Sequence, residues 1–149
     1  VECMLPEAKM IKGEMVLREM ALSSDVKLTK KSLVRWLALS LGLISPRESR
    51  DSLLVVLEVM INAHFANEQL TTKEIIERAG SEKPLDEKTV YYHLQRLANS
   101  GLVSRDKGVY YFGDGVEKDL GKIIKNVYSQ KFESAFRNID EALESLKQK

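Results

Sequence analysis

The densest set of side chains able to make specific hydrogen bonds lies between Lys88 and Arg96. At helical spacing, Val90, Leu94 and Leu97 share one face, and Lys88, Thr89, Tyr92, Gln95 and Arg96 share the other, with Tyr91 at the border. A helix fits the major groove of duplex DNA, where Gln and Arg make paired contacts to base edges. Thr and Tyr hydroxyls bond phosphates there and set register. Arg105 and Lys107 follow, beside the turn of a short hairpin. These residues also have a plainer reading. Lys, Gln and Arg form an ordinary solvated face, Tyr91 and Tyr92 cover the edge of a core or an interface, and Arg105 and Lys107 are the charges of an exposed hairpin.

The elements that would hold this set are legible from caps and apolar spacing. Thr71 and Glu74 have capping-box spacing, and Leu70 with Ile75 has staple spacing, so a short helix runs from there to Gly80. Residues 81–85 read as a polar turn with Pro84. Asp86 caps the next helix near Thr89, Leu85 with Val90 repeats the staple, and Gly101 ends it as a left-handed residue. Leu102–Arg105 and Val109–Phe112 are two short strands around a turn containing Gly108.

Upstream, Pro6 and Glu7 open a helix predicted to reach Leu22, and Thr29 caps another that ends at Gly42. Ser45-Pro46-Arg47-Glu48 starts a third, predicted to run to about Asn67. That helix is apolar nearly all round, so the N-terminal helices or a partner subunit must cover its far side. Asp114 and Glu117 have capping spacing, and a long helix is predicted from there almost to Lys149. Along it Phe132, Phe136, Ile139, Leu143 and Leu146 step by four and three, as in a helix seam.

The order helix, short helix, turn, helix, hairpin resembles the reading unit of winged helix-turn-helix DNA-binding transcription regulators of the broad ArsR, MarR and PadR kind. The resemblance rests on Thr71-Thr72-Lys73-Glu74-Ile75, on Lys88 through Leu97, and on Ser100-Gly101-Leu102-Val103. It implies a mainly α (α+β) fold divided into N-terminal accessory helices (1–45), a winged helix-turn-helix domain (46–113) and a C-terminal helix (114–149). It further implies that the recognition helix, 86–100, enters the major groove. The wing, 102–112, would lie on the backbone or minor groove through Arg105 and Lys107. In such regulators the outer helices form a homodimer, and the Phe132–Leu146 seam is the candidate interface. The same spacing also serves a helical hairpin within one chain.

Charge tempers this reading. Net charge is +1, and residues 50–112 hold eight Lys or Arg against nine Asp or Glu. Binding to phosphate scales with cation count, so the alternative is a winged-helix protein-interaction module, with the Tyr-rich helix and Tyr110, Tyr111 and Phe112 meeting protein. Other chemistry is thin. A single cysteine excludes a Cys-rich zinc site and leaves a Cys3–His64–His93 metal site only as a minor alternative; no nucleophile constellation or phosphate loop exists, and neither an enzyme nor a cofactor is expected. An effector pocket lined by Trp36 and Met residues is conceivable, but such residues are more often core. The longest apolar run, Leu53 to Ile61, is broken by Glu58 and is far below the roughly 20 residues of a membrane span. The opening residues lack the basic stretch and apolar core of a secretory signal. A cytoplasmic protein is the expectation.

Overall fold

The computed structural model describes residues 4–48, 51–80 and 84–149. Among them the chain is mainly helical, with five α-helices and one three-stranded antiparallel sheet, an α+β architecture. No helix of the described residues is long and apolar enough to cross a membrane.

Helix α1 spans Lys30–Ser40, and the Thr29 hydroxyl accepts the Ser32 amide as its cap. It closes on Gly42 at φ 68. Leu43 N donates to Ala38 O at 2.9 Å and Gly42 N to Leu39 O at 3.2 Å, the paired bonds of a Schellman ending. Only Pro6–Met10 of the first predicted helix is helical, as a short 3-10 turn, and residues 11–23 have no regular structure. Two causes act together. Gly13 weakens a helix there by about 1 kcal/mol relative to Ala, and the backbone finds better partners on α1. Arg18 N donates to Ser40 O at 2.8 Å, Ser40 Oγ to Arg18 O at 3.0 Å, and Trp36 Nε1 to Ala21 O at 2.8 Å. The segment is thus a strap tied across α1.

The Glu48 carboxylate does accept the Ser45 amide, at 3.1 Å. It closes an isolated turn, and helix α2 starts later, over Ser52–Phe65. A cap satisfies an orphan amide whether or not a helix follows, so its spacing alone overstated the start. The predicted end at Asn67 also shortens, because Asn67 takes a left-handed φ of 58. Along α2, Leu53, Val55, Val56, Leu57, Met60 and Ala63 are buried. Val34 and Ala38 of α1 join the same core as Ile75, Val90, Leu94 and Leu97 from the two helices that follow. The apolar helix is therefore covered within its own chain, with α1 supplying one cover.

Strand β1 is Leu70–Thr71, and helix α3 is Thr72–Ala79. The reciprocal capping box forms as predicted, with Glu74 N to Thr71 Oγ1 at 3.2 Å and Thr71 N to Glu74 Oε1 at 3.1 Å. Residues 81–83 of the predicted polar turn lie outside the described residues. Helix α4 spans Glu87–Asn99, and Asp86 Oδ1 accepts Thr89 N at 2.7 Å. Gly101 then reverses the chain at φ 88. Strands β2, Val103–Asp106, and β3, Val109–Phe112, pair with Val103 opposite Phe112 and Asp106 opposite Val109. Lys107 and Gly108 make the two-residue turn, at φ 53 and 83, the left-handed pair that suits a twisted hairpin.

The sequence offered no sign of β1. It pairs Leu70 with Tyr110 and Thr71 with Val109, so the sheet order is β1-β3-β2. Helix α5 spans Leu120–Lys147, capped by Asp119 rather than by Asp114. Asp114 instead accepts Val116 N and Glu117 N within a loop, where Gly113 and Gly115 have φ of 76 and 87. Left-handed Gly115 cannot continue a right-handed helix from Asp114, and α5 starts afresh at its own cap, Asp119.

Candidate nucleic-acid interface

Helix α4 divides as its spacing requires. Val90, Leu94 and Leu97 have no exposed surface, and His93 is buried beside them. The His93 Nε2 lies 2.8 Å from Ser52 Oγ, which ties α4 to the first turn of α2. Outward from this anchored face, Lys88, Tyr91, Tyr92 and Gln95 are exposed, and Thr89 is half-buried. Lys88, Tyr91, Tyr92 and Gln95 line one shallow depression together with Glu87.

The hairpin joins this surface through Arg105. Its Nη1 donates to the Tyr91 hydroxyl at 3.0 Å, and its guanidinium lies 5.8 Å from the Tyr91 ring centroid and 5.7 Å from that of Tyr110. A guanidinium over an aromatic face within about 6 Å is attracted by the ring quadrupole. Arg105 and the α4 face are therefore one surface. Lys107 stands exposed at the hairpin turn.

Arg96 departs from the set. It is half-buried, and its Nη2 donates to Leu43 O at 2.7 Å, while the guanidinium lies 6.0 Å from the Tyr92 ring. Its side chain is spent on the turn after α1, not presented with Gln95. Two polar neighbours escaped the sequence reading. Asn99 Oδ1 accepts Gln95 Nε2 at 3.4 Å, one helical turn further on, and Glu87 places a carboxylate beside Lys88. The (i, i+4) spacing of Gln95 and Asn99 was the available signal.

The electrostatics are mixed. The Thr89 backbone amide holds the Asp86 carboxyl below its ordinary pKa. Asp86 and Glu87 thus put negative charge at the start of α4, where a helix stabilises anions. This surface relies on hydrogen bonds and aromatic faces more than on net positive charge.

The other candidates are structural or lie apart. His64 Nε2 is 2.8 Å from Lys118 O, and its ring meets Phe112 edge-on at 5.8 Å. Cys3 lies outside the described residues, among which no three His, Cys, Asp or Glu side chains converge on a metal position. Trp36 spends its indole N–H on the strap. Tyr110 and Phe112 are buried, and Tyr111 is half-buried, so the hairpin offers no open aromatic face.

Helix α5 changes character along its length. Ile123 is buried, and Leu120, Ile124 and Val127 pack on the core. Phe132 is half-buried, with its ring 6.0 Å from that of Tyr128. Beyond it Phe136, Ile139, Leu143 and Leu146 are 60%, 50%, 52% and 67% exposed. From Phe136 onward the seam is therefore uncovered among the described residues.

No family model, curated protein or solved structure matches this chain. The functional reading therefore stands on the site alone.

Proposed function

We propose that this chain is a DNA-binding transcription regulator with a winged helix-turn-helix unit at residues 46–113, acting as a homodimer. The observation that carries the reading is the Arg105–Tyr91 contact, which joins the exposed face of α4 to the β2–β3 hairpin. A helix seated in a major groove and a hairpin reaching past it must be held in fixed relation, and this contact fixes them. In this reading Lys88 and Gln95 meet base edges. Thr89, Tyr91 and Tyr92 bond phosphates, and Arg105 and Lys107 track the backbone or minor groove. The element order α2, β1, α3, α4, β2, β3 agrees with a winged unit. Two copies joined through Phe132, Phe136, Ile139, Leu143 and Leu146 would read half-sites about one helical turn, roughly 34 Å, apart. A cytoplasmic location goes with this role.

A second reading has its own support. Tyr91 and Tyr92 are 42% and 58% exposed beside Glu87, and exposed tyrosines with little net charge suit a protein interface. In that case α4 binds a protein, and the buried aromatics of the hairpin take no part.

Selection from random duplex DNA across a salt series separates the two. Enrichment of an inverted repeat, lost in Gln95→Ala, supports the regulator. Failure to retain any duplex at low salt ends that reading and leaves the protein interface.

A further inference from the structure

The last turn of α1 and the residues after it present carbonyl groups in quick succession, and three distant parts of the chain take them. From the strap, Arg18 Nη1 donates to Leu39 O at 2.6 Å and to Ile44 O at 2.9 Å. From α5, the Tyr128 hydroxyl donates to Leu41 O at 2.7 Å. From α4, Arg96 Nη2 donates to Leu43 O at 2.7 Å. Helix α5 also grips α4 directly, because Lys131 Nζ donates to Ser100 O, the cap of α4, at 2.6 Å. Burial raises the Tyr128 phenol pKa, in keeping with a phenol that donates to Leu41 O.

These bonds make residues 39–44 a shared seat. The Schellman ending holds the seat itself rigid, and Val16 lies directly over Gly42. A helix tied to a rigid turn at one end and to its core at the other has little freedom to swing. Helix α4 is tied so by Arg96 in its last turn, and α5 is tied to the same turn by Tyr128, just past the residues 120–127 that pack on the core.

We infer that Arg96 and Tyr128 are positioning residues that register α4 and α5 on the turn at residues 39–44, which sets the angle between the exposed face of α4 and the long helix. The consequence for DNA rests on the function proposed above. In a dimer joined through α5, that angle determines the distance between the two copies of α4, and Arg96 contacts no base.

The test uses the full chain and the variants Arg96→Met, Arg96→Lys, Tyr128→Phe and the double variant Arg96→Met with Tyr128→Phe. In selection from random duplex DNA, Arg96→Met keeps the preferred bases within each half-site but accepts a wider range of spacings between them. Arg96→Lys, which keeps a donor, narrows the range again. A changed base preference at one position with unchanged spacing overturns the inference, because that is the signature of a base-reading arginine.

A second measurement needs no DNA: amide hydrogen exchange in residues 41–44 and 99–102. Arg96→Met and Tyr128→Phe are each expected to speed exchange in both segments by about ten-fold, as local opening of one shared unit does. The double variant is expected to add little to either single one. Acceleration confined to the neighbourhood of each substitution, with additive effects, overturns the inference. If the parent binds no duplex, the regulator reading fails and the exchange result alone decides this one.

Discussion

Arg105 of β2 and Tyr91 of α4 stand 14 residues apart in the chain, and a 3.0 Å hydrogen bond joins the guanidinium to the phenol oxygen. The same guanidinium lies over the Tyr91 and Tyr110 rings, so hydrogen bonding and cation–π attraction act on one side chain. Tyr110 is buried in the sheet and Tyr91 sits on the exposed helix face. Arg105 therefore bridges the core of the hairpin to the outside of α4.

Replacing Arg105 with Ala removes both attractions at an exposed site, so folding stability shifts by no more than about 1 kcal/mol. Affinity for duplex DNA is expected to fall, with the log–log salt slope shallower by about one. Tyr91→Phe keeps the ring under the guanidinium and gives an intermediate affinity. Anisotropy titrations at several salt concentrations read both quantities, and unchanged affinity in Arg105→Ala contradicts a single combined surface.

Gly42 has φ 68, and a Cβ added there would stand 2.5 Å from the Val16 Cβ. Gly42→Ala thus meets backbone strain and a clash, and is expected to destabilise by more than about 1 kcal/mol. Gly108, at φ 83 with open space around it, meets the strain alone. Urea unfolding should rank Gly42→Ala as clearly the worse. Trp36, the single tryptophan, donates to Ala21 of the strap, so its emission should also move in Gly42→Ala and not in Gly108→Ala.

The stripe from Phe136 to Leu146 is exposed within the chain, so Leu143→Glu costs the fold of one protomer little, within about 0.5 kcal/mol. If two copies pair there, sedimentation shows a dimer for the parent and a monomer for the variant, with identical helical content. A parent that stays monomeric at all concentrations removes the dimer from the proposed function.

The carboxyls of Glu68, Glu74, Asp86 and Asp114 are held below their ordinary pKa by hydrogen bonds in the fold. The hydrogen bond from Arg78 lowers Glu68, and the Thr71 amide lowers Glu74. The Thr89 amide lowers Asp86, and the Val116 and Glu117 amides lower Asp114. A group with a depressed folded pKa stabilises the fold above its unfolded pKa, and that contribution is lost as pH falls through the folded value. The urea midpoint should therefore hold from pH 7 to about 5 and decline below about pH 4, the ordinary carboxylate pKa. Asp86→Asn keeps a capping oxygen without a titrating proton, so its decline should be shallower. A midpoint that rises on acidification contradicts this assignment.

What the sequence determined by itself was local. The Thr71–Glu74 box, the Asp86 cap, the Gly101 reversal and the common helix face of Val90, Leu94 and Leu97 all depend on groups within a few residues of one another. Contacts that close over three or four residues form in nearly any surroundings, so their spelling is reliable. Even the misjudged starts at Ser45 and Asp114 kept their local hydrogen bonds. Where the helices did not run on, the cause came from elsewhere: left-handed Gly115 after Asp114, and, after Met10, the bonds that hold Arg18 and Ala21 along α1.

Tertiary structure alone decided which polar side chains remained free. Helical spacing put Arg96 on the same face as Gln95, and nothing near it in the chain distinguished the two. The Leu43 carbonyl, 53 residues away, captures the one and leaves the other exposed. Strand β1 likewise exists because the open edge of β3 supplies its backbone partners. In each case the deciding group arrives from a distant part of the chain, and an unsatisfied backbone carbonyl or amide takes whatever donor or acceptor the packing of the core brings within reach.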